Sequence, residues 1–433
     1  MILEKVFGVI NDDLSTYVPR QEIDDCFMKT FSQKRQLVVY GSSKQGKTTL
    51  LNAHIKQENK IIVQCSPTMT LHDIYKTILK KLEITIQSSS SNESEDSTKA
   101  KFNFKVKLPM LAEAGVEVVK SKGEKEINSE LQMDVESAQD IAEIIKNHFP
   151  DKIIILENFH YLEEKEQRLF AFDLRTFQDL DVRVIILGIW RERNRLTQYN
   201  GDLQDRIIEL PIEPWIEEHL QTIISLGEKS LNINMSDIKN EIISESFGNV
   251  GMLQELCKEC CYDAGITETA QGSPKIITYA NLKNAILRIT NSFASRYHRS
   301  LETFADAKPR QSLDGSQGLG MPYFFVRVIL SSNLDIEQIK NGLSIHDLRT
   351  AIKAIHPNSE NKQFDRALTI FLNRISTYQK NHGITPSIFD WDTNLRKLSI
   401  VDPNFFFFVK HYNHYEFLEG LKLPLGFTKD TGS

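Results

Sequence analysis

The stretch VVYGSSKQGKTTL, Val38 to Leu50, decides the fold. The apolar run Gln36 to Tyr40 has the length and composition of a short buried strand, and TTLLNAHIKQ, from Thr48 on, has helical character. Residues Gly41, Ser42, Ser43, Lys44, Gln45, Gly46, Lys47 and Thr48 therefore sit between strand and helix, the setting that the pattern G-x-x-x-x-G-K-[ST] requires. Two glycines permit backbone angles that side chains resist, so that successive N–H groups of the loop, from Gly41 through Ser43, Lys44, Gln45 and Gly46 to Thr49, can converge on phosphate oxygens at a helix N-terminus. Lys47 then reaches the outer phosphates, and the Thr48 hydroxyl is placed to serve Mg²⁺.

Composition narrows the classes outside this loop. A chain of 433 residues, 40% hydrophobic and 25% charged, has the make-up of several packed globular domains. Charged residues Glu4 and Lys5 follow Met1 closely, and no apolar run nears the roughly 20 residues of a membrane span. A cytoplasmic protein without a membrane anchor is expected. Five cysteines, an odd number, suit reduced thiols. Cys257, Cys260 and Cys261 lack a second Cys/His pair at zinc-site spacing and read as core thiols on a helix. A net charge of −6 argues against coating nucleic acid through bulk charge, while leaving room for a local basic face.

Further along, strand and helix patterns alternate. Lys60–Gln64 reads as a strand and residues 71–82 as a helix. Residues 88–97 are almost all Ser, Asn, Glu and Asp, and the period-two patterns that follow suggest a β-insertion over about 88–136, either a contact surface or a solvated hairpin. Helix and strand alternate again over 138–148, 152–156, 164–177 and 182–187, which implies a parallel sheet covered on both faces. From Trp215 to about Ile289 the pattern is helical with a break at Phe247–Gly251, and residues 306–320 read as a linker. Three helices (323–330, 345–355, 364–379), then a β-hairpin made of the alternating run 397–401 and the apolar run 405–409, suggest a winged helix.

The second half of a nucleotide site is an acid at a strand end, and Ile153 to Leu156 is an apolar run closed by Glu157 and Asn158. Here a family resemblance becomes specific. Tyr17-Val18-Pro19-Arg20-Gln21-Glu22 resembles the box that precedes the P-loop in STAND NTPases and in the origin-recognition branch of the AAA+ superfamily. Residues 157–162 resemble their Walker-B segment, residues 184–191 their sensor-1 strand, and residues 202–209 the segment carrying the arginine finger. The resemblance covers about residues 15–290. It implies ATP or ADP binding with Mg²⁺, Tyr17, Val18 and Arg20 beside the adenine, Glu157 with Thr48 on the metal, Arg191 as sensor and Arg206 as a finger in a homo-oligomer.

This sequence departs from that pattern at Pro19 and Gln21 in the first box, at Glu157 in place of Asp, at Asn158 in place of a second acid, and at Asn249-Val250 in place of Gly-x-Pro. An amide cannot take a proton from water, so slow hydrolysis is expected. The expected architecture is α/β, a P-loop AAA+/STAND-type parallel sheet over 1–213, a helical lid over 214–305, and an α+β winged-helix domain over 321–433. The implied function is an ATP-dependent oligomerising switch, with phage defence through a separate effector protein as the setting the STAND resemblance suggests. The alternative is an initiator or loader that binds DNA through the winged helix. Residues 301–433 hold 15 Lys and Arg against 14 Asp and Glu, no strong electrostatic footprint for DNA. A small-molecule kinase is disfavoured because no acceptor-binding segment stands beside the loop.

Overall fold

The computed structural model describes residues 1–8, 16–33, 35–87, 102–106, 130–133, 137–190, 195–306, 318–331, 338–339, 341–384, 387–424 and 427. They form two compact units. One comprises Pro19–Gly41 and Lys47–Ile212, the other Met1–Val18, Ser42–Gly46 and Glu213–Ser433. The sequence reading placed residues 1–213 together, whereas Leu3, Phe7 and Val18 are buried with the helices that follow residue 213.

The first unit is built on five parallel strands: β1 (Gln36–Tyr40), β2 (Lys60–Gln64), β3 (Ile153–Glu157), β4 (Arg183–Gly188) and β5 (Ile207–Pro211). Their order is β2-β3-β4-β1-β5. Successive side chains of a strand face opposite ways. Val38, Ile154 and Ile186 accordingly join one core with Ile78, Ile145 and Phe170, and Leu37, Ile155 and Ile185 join another with Phe27 and Leu51. Helices cover both faces, the condition that lets parallel strands be apolar throughout. Two of those helices start on side-chain caps, Thr70 with Asp73 in a reciprocal box and Ser137 with the Asp140 amide.

In the region of the expected insertion, Ile84–Gln87, Phe102–Val106 and Glu130–Met133 form a separate antiparallel sheet with Phe102–Val106 in the middle.

The second unit contains the helices Glu217–Leu231, Lys239–Glu245, Val250–Asp263 and Tyr279–Ala305. The last runs well past the expected end near Ile289. Cys257, Cys260 and Cys261 lie in this helical core, and burial, with help from Asp263, pushes the Cys260 thiol up to about 12. After it come Met321–Leu330, the strand Leu343–Ser344, the helices Ile345–Ile355 and Phe364–Asn373, and a hairpin of Phe389–Asp392 with Lys397–Ile400.

Two expectations are corrected here. The expected helix over 364–379 divides at Arg374 into Phe364–Asn373 and Ile375–Asn381. Residues 405–409 are not a hairpin strand but belong to the helix Pro403–His411, because Asp402 caps its first turn and Pro403 stands where a helix tolerates proline. Four consecutive phenylalanines carry no period, so the run alone does not separate strand from helix. Among the described residues no helix is long and apolar enough to cross a membrane.

Candidate functional site

The backbone of the Gly41–Thr48 loop takes left-handed angles at three places, Gly41 (φ 148°), Lys44 (φ 59°) and Gly46 (φ 85°). Three consecutive carbonyls are each held by a donor from the segments that follow residue 213. Ser43 O accepts from Asn249 Nδ2 at 3.1 Å, Lys44 O from the Gly251 amide at 3.0 Å, and Gln45 O from Trp215 Nε1 at 3.3 Å. In a planar trans peptide the N–H points opposite to the C=O. The amides of Lys44, Gln45 and Gly46 are thereby turned the other way, as an anion-binding nest requires. The Ser42 amide donates to Glu213 Oε1 at 2.5 Å.

Lys47 and Thr48 open the helix Lys47–His54, and Thr49 follows within its first turn. Lys47 Nζ donates to Gly41 O at 3.0 Å, so its ammonium lies back over the start of the loop. Converging amides, a lysine and a hydroxyl at a helix N-terminus make a donor set that fits a polyphosphate with its cation.

At the C-terminal end of β3, Glu157 and Asn158 meet a residue that the sequence reading missed. Gln64 ends β2 directly opposite Glu157. Its Nε2 donates to Glu157 Oε2, and its Oε1 accepts from Asn158 Nδ2 at 3.1 Å. Asn158 adopts a left-handed conformation (φ 57°), which asparagine tolerates better than most residues. A polar residue closing the short apolar run Ile61–Val63 is the only signal the sequence offers for Gln64. Next along the sheet, the Ile189 amide donates to His160 Nδ1 at 3.3 Å, tying the end of β4 to the turn after β3. Gly188 permits this path, because a Cβ there would stand 1.5 Å from the buried Trp190 ring. Arg191 lies outside the described residues.

Arg206 stands at the opposite, N-terminal end of the parallel strands, just before β5. Its carbonyl accepts from the Gln36 amide at 3.0 Å, at the start of β1, and its guanidinium pairs with Asp179 at the end of the helix Glu164–Asp179. The first-box residues divide between the two units. Val18 is buried among the helices after residue 213, and Arg20 Nη1 donates to Ile212 O at 2.6 Å just past β5. Tyr17 is half-buried.

No protein-family model matches the chain, and no curated protein matches it. Among solved structures it is similar to a Walker-type ATPase of Pyrococcus abyssi, at 12% identity over 91% of this chain and 96% of that one, with a TM-score of 0.47. It is also similar to the Orc1 protein of Aeropyrum pernix solved in complex with DNA (12% identity, 96% of each chain, TM-score 0.42) and to Cdc6p of Pyrobaculum aerophilum (11%, 95% and 99%, 0.38). The class follows from the chain's own geometry. A loop of this pattern after β1, an acid at the end of β3, and β4 inserted between those two strands define an α/β fold of the P-loop type.

Proposed function

We propose that this chain is an ATPase that binds ATP with Mg²⁺ in the Gly41–Thr48 loop and uses it as a slow oligomerising switch. The observation that supports the reading is the set of three pinned carbonyls at Ser43, Lys44 and Gln45, which points each following amide away from its neighbour's donor and leaves it available to an anion. Lys47 would contact the outer phosphates, while Thr48 and Glu157 would hold the cation, which neutralises phosphate charge as it moves. Gln64 orients Glu157, and Asn158 can position a water without accepting its proton. The resemblance to STAND proteins supports the switch reading, and a defence role through a separate effector rests on that resemblance alone.

The test is Lys47→Ala. Removing a charge-assisted contact leaves the fold intact, and calorimetry with Mg²⁺-ATP is expected to show affinity down by about a hundredfold, at about 1.5–3 kcal/mol for such a contact. A folded variant that binds ATP as the parent does would overturn the assignment.

The initiator reading has one observation in its favour. Arg366 on the helix Phe364–Asn373, Lys362 and Arg374 just beyond its two ends, and Arg396 and Lys397 in the hairpin are all exposed. Retention on duplex DNA that weakens steeply with salt would support it.

A further inference from the structure

The turn that joins the helices Lys239–Glu245 and Val250–Asp263 faces two ways. At its start, the Glu245 carboxylate is buried and accepts from Lys410 Nζ at 2.9 Å and from His411 Nε2 at 2.7 Å, both on the helix Pro403–His411. Burial pushes the Glu245 carboxyl up, but the hydrogen bonds and charges of His411 and Lys410 outweigh it and leave it below its usual range. Phe247 packs against Phe406 with ring centroids 6.2 Å apart, under the Lys410 ammonium. Phe247 and Gly248 are both left-handed, at φ 52° and 73°, and this pair reverses the chain.

At the other end of the turn stand the residues that hold the loop. Asn249 is 2% exposed, and both ends of its amide are engaged: Oδ1 accepts from the Met252 amide at 2.8 Å, and Nδ2 donates to Ser43 O. Gly251 lies so close to the loop that an added Cβ would stand 2.5 Å from Lys44 Cβ and 2.8 Å from Lys44 O. Glu245 and Gly251 are only six positions apart in the chain, with the left-handed pair Phe247 and Gly248 between them.

We propose that residues 245–251 form a coupler: Asn249 and Gly251 are positioning residues that shape the phosphate-binding loop, and the C-terminal domain sets their position through its grip on Glu245 and Phe247. Neither Asn249 nor Gly251 needs to touch the nucleotide. If the C-terminal grip shifts, the carbonyls of Ser43 and Lys44 lose their donors, the loop amides are free to rotate, and affinity for the triphosphate falls. A signal received by the C-terminal domain thus reaches the loop without a separate relay. The proposal rests on the reading of Gly41–Thr48 as the triphosphate loop.

The experiment separates positioning from stability. Asn249→Ser keeps a helix-capping oxygen, since serine caps about as well as asparagine, but its shorter side chain loses the donor to Ser43 O. With the full chain, Mg²⁺ and a non-hydrolysable ATP analogue, the variant is expected to melt with the parent and bind about fivefold more weakly, the loss of one neutral hydrogen bond. Its KM for ATP is expected to rise with kcat unchanged. Glu245→Gln and Phe247→Leu, which alter only the grip, are expected to weaken binding in the same direction and to combine with Asn249→Ser less than additively. Using two grip variants keeps the test open if one fails to fold. Parent-like affinity in Asn249→Ser, or in both folded grip variants, would overturn the proposal. Lys47→Ala in the same assay tells the two readings apart. A parent that binds no triphosphate sinks the loop assignment, whereas binding abolished by Lys47→Ala but indifferent to Asn249→Ser sinks the coupler alone.

Discussion

Asn158 donates its amide Nδ2 to Gln64 Oε1 at 3.1 Å, and the same Gln64 amide donates to Glu157. One side chain from β2 thus fixes both polar residues at the end of β3. A hydrogen bond to a charged group contributes about 1.5–3 kcal/mol, and 1.4 kcal/mol is tenfold in rate. Gln64→Leu is therefore expected to lower kcat about tenfold, with triphosphate affinity changed less than about twofold. An unchanged kcat would show that Glu157 needs no orienting partner.

The same pair bears on the rate itself. With Asn158 in place of a second acid, water is positioned without a base, and turnover is expected near or below ~1 per minute, against roughly 1–10³ s⁻¹ for ordinary enzymes. Asn158→Glu is expected to accelerate hydrolysis, and Glu157→Gln to stop it nearly completely while ATP stays bound. Steady-state release of phosphate by pure protein decides this. Many turnovers per second in the parent, or an Asn158→Glu variant slower than it, would mean another group activates the water.

Acid acts first on the C-terminal unit. His356 is 3% exposed, donates from Nε2 to Leu319 O at 2.7 Å and accepts the Asn358 amide at Nδ1 at 3.0 Å, a pattern that only the neutral ring satisfies. Burial lowers its pKa, as it does for His414 and His298, with the Leu319 hydrogen bond opposing it at His356. The unfolded chain then binds more protons than the folded one. The stability these histidines contribute is complete above about 6.5 and is lost as pH falls below it. Carboxylates held low, such as Glu245, lose theirs only at more acid pH. Thermal denaturation at pH 7.5 and pH 5 is expected to show a Tm lower by about 2–4 °C at pH 5. His298→Phe, which keeps the stack on Phe417, is expected to lose less. A parent Tm that holds steady or rises towards pH 5 contradicts this account.

The sheet and its loop were legible because their signals are local. An apolar run, two glycines and a lysine fix strand, loop and helix within a dozen residues, and β1 and β3 are buried enough to read as runs of their own, whereas the half-exposed β5 was not legible as a strand. Gln64 was not legible, because what places it beside Glu157 is strand register across more than 90 residues of chain. Trp215 and Gly251 were missed for a related reason. Their hydrogen bonds to the loop carbonyls link segments about 170 and 207 positions apart, and no periodicity encodes such a contact. The Phe405–Phe408 run failed differently. Its side chains are buried all round, so neither a period of two nor one of 3.6 stands out.

Arg206 and Gly41 stand at opposite ends of two adjacent parallel strands, Arg206 just before β5 and Gly41 just after β1. The five residues of β1 lie between them along the strand direction, about 16 Å, which is more than an arginine side chain spans. Arg206 therefore cannot serve the phosphates of its own chain, and if it acts on ATP it acts on a neighbour's. Its pairing with Asp179 holds the guanidinium about a third exposed at the surface, where a neighbouring copy could take it over. Arg206→Ala is expected to bind ATP with parent affinity but to lose turnover, ATP-dependent assembly, or both, by about 10³-fold or more in turnover if the finger stabilises the transferring phosphoryl group. Mixing decides between cis and trans. A Glu157→Gln subunit hydrolyses nothing itself but keeps its finger, and an Arg206→Ala subunit keeps its Glu157 but offers no finger. Together they form composite sites with both groups intact, so mixtures are expected to recover part of the activity that each lacks alone. Mixtures as inactive as their components, from subunits that still associate, would show that Arg206 serves no neighbouring site and that its contact with Asp179 is its whole role.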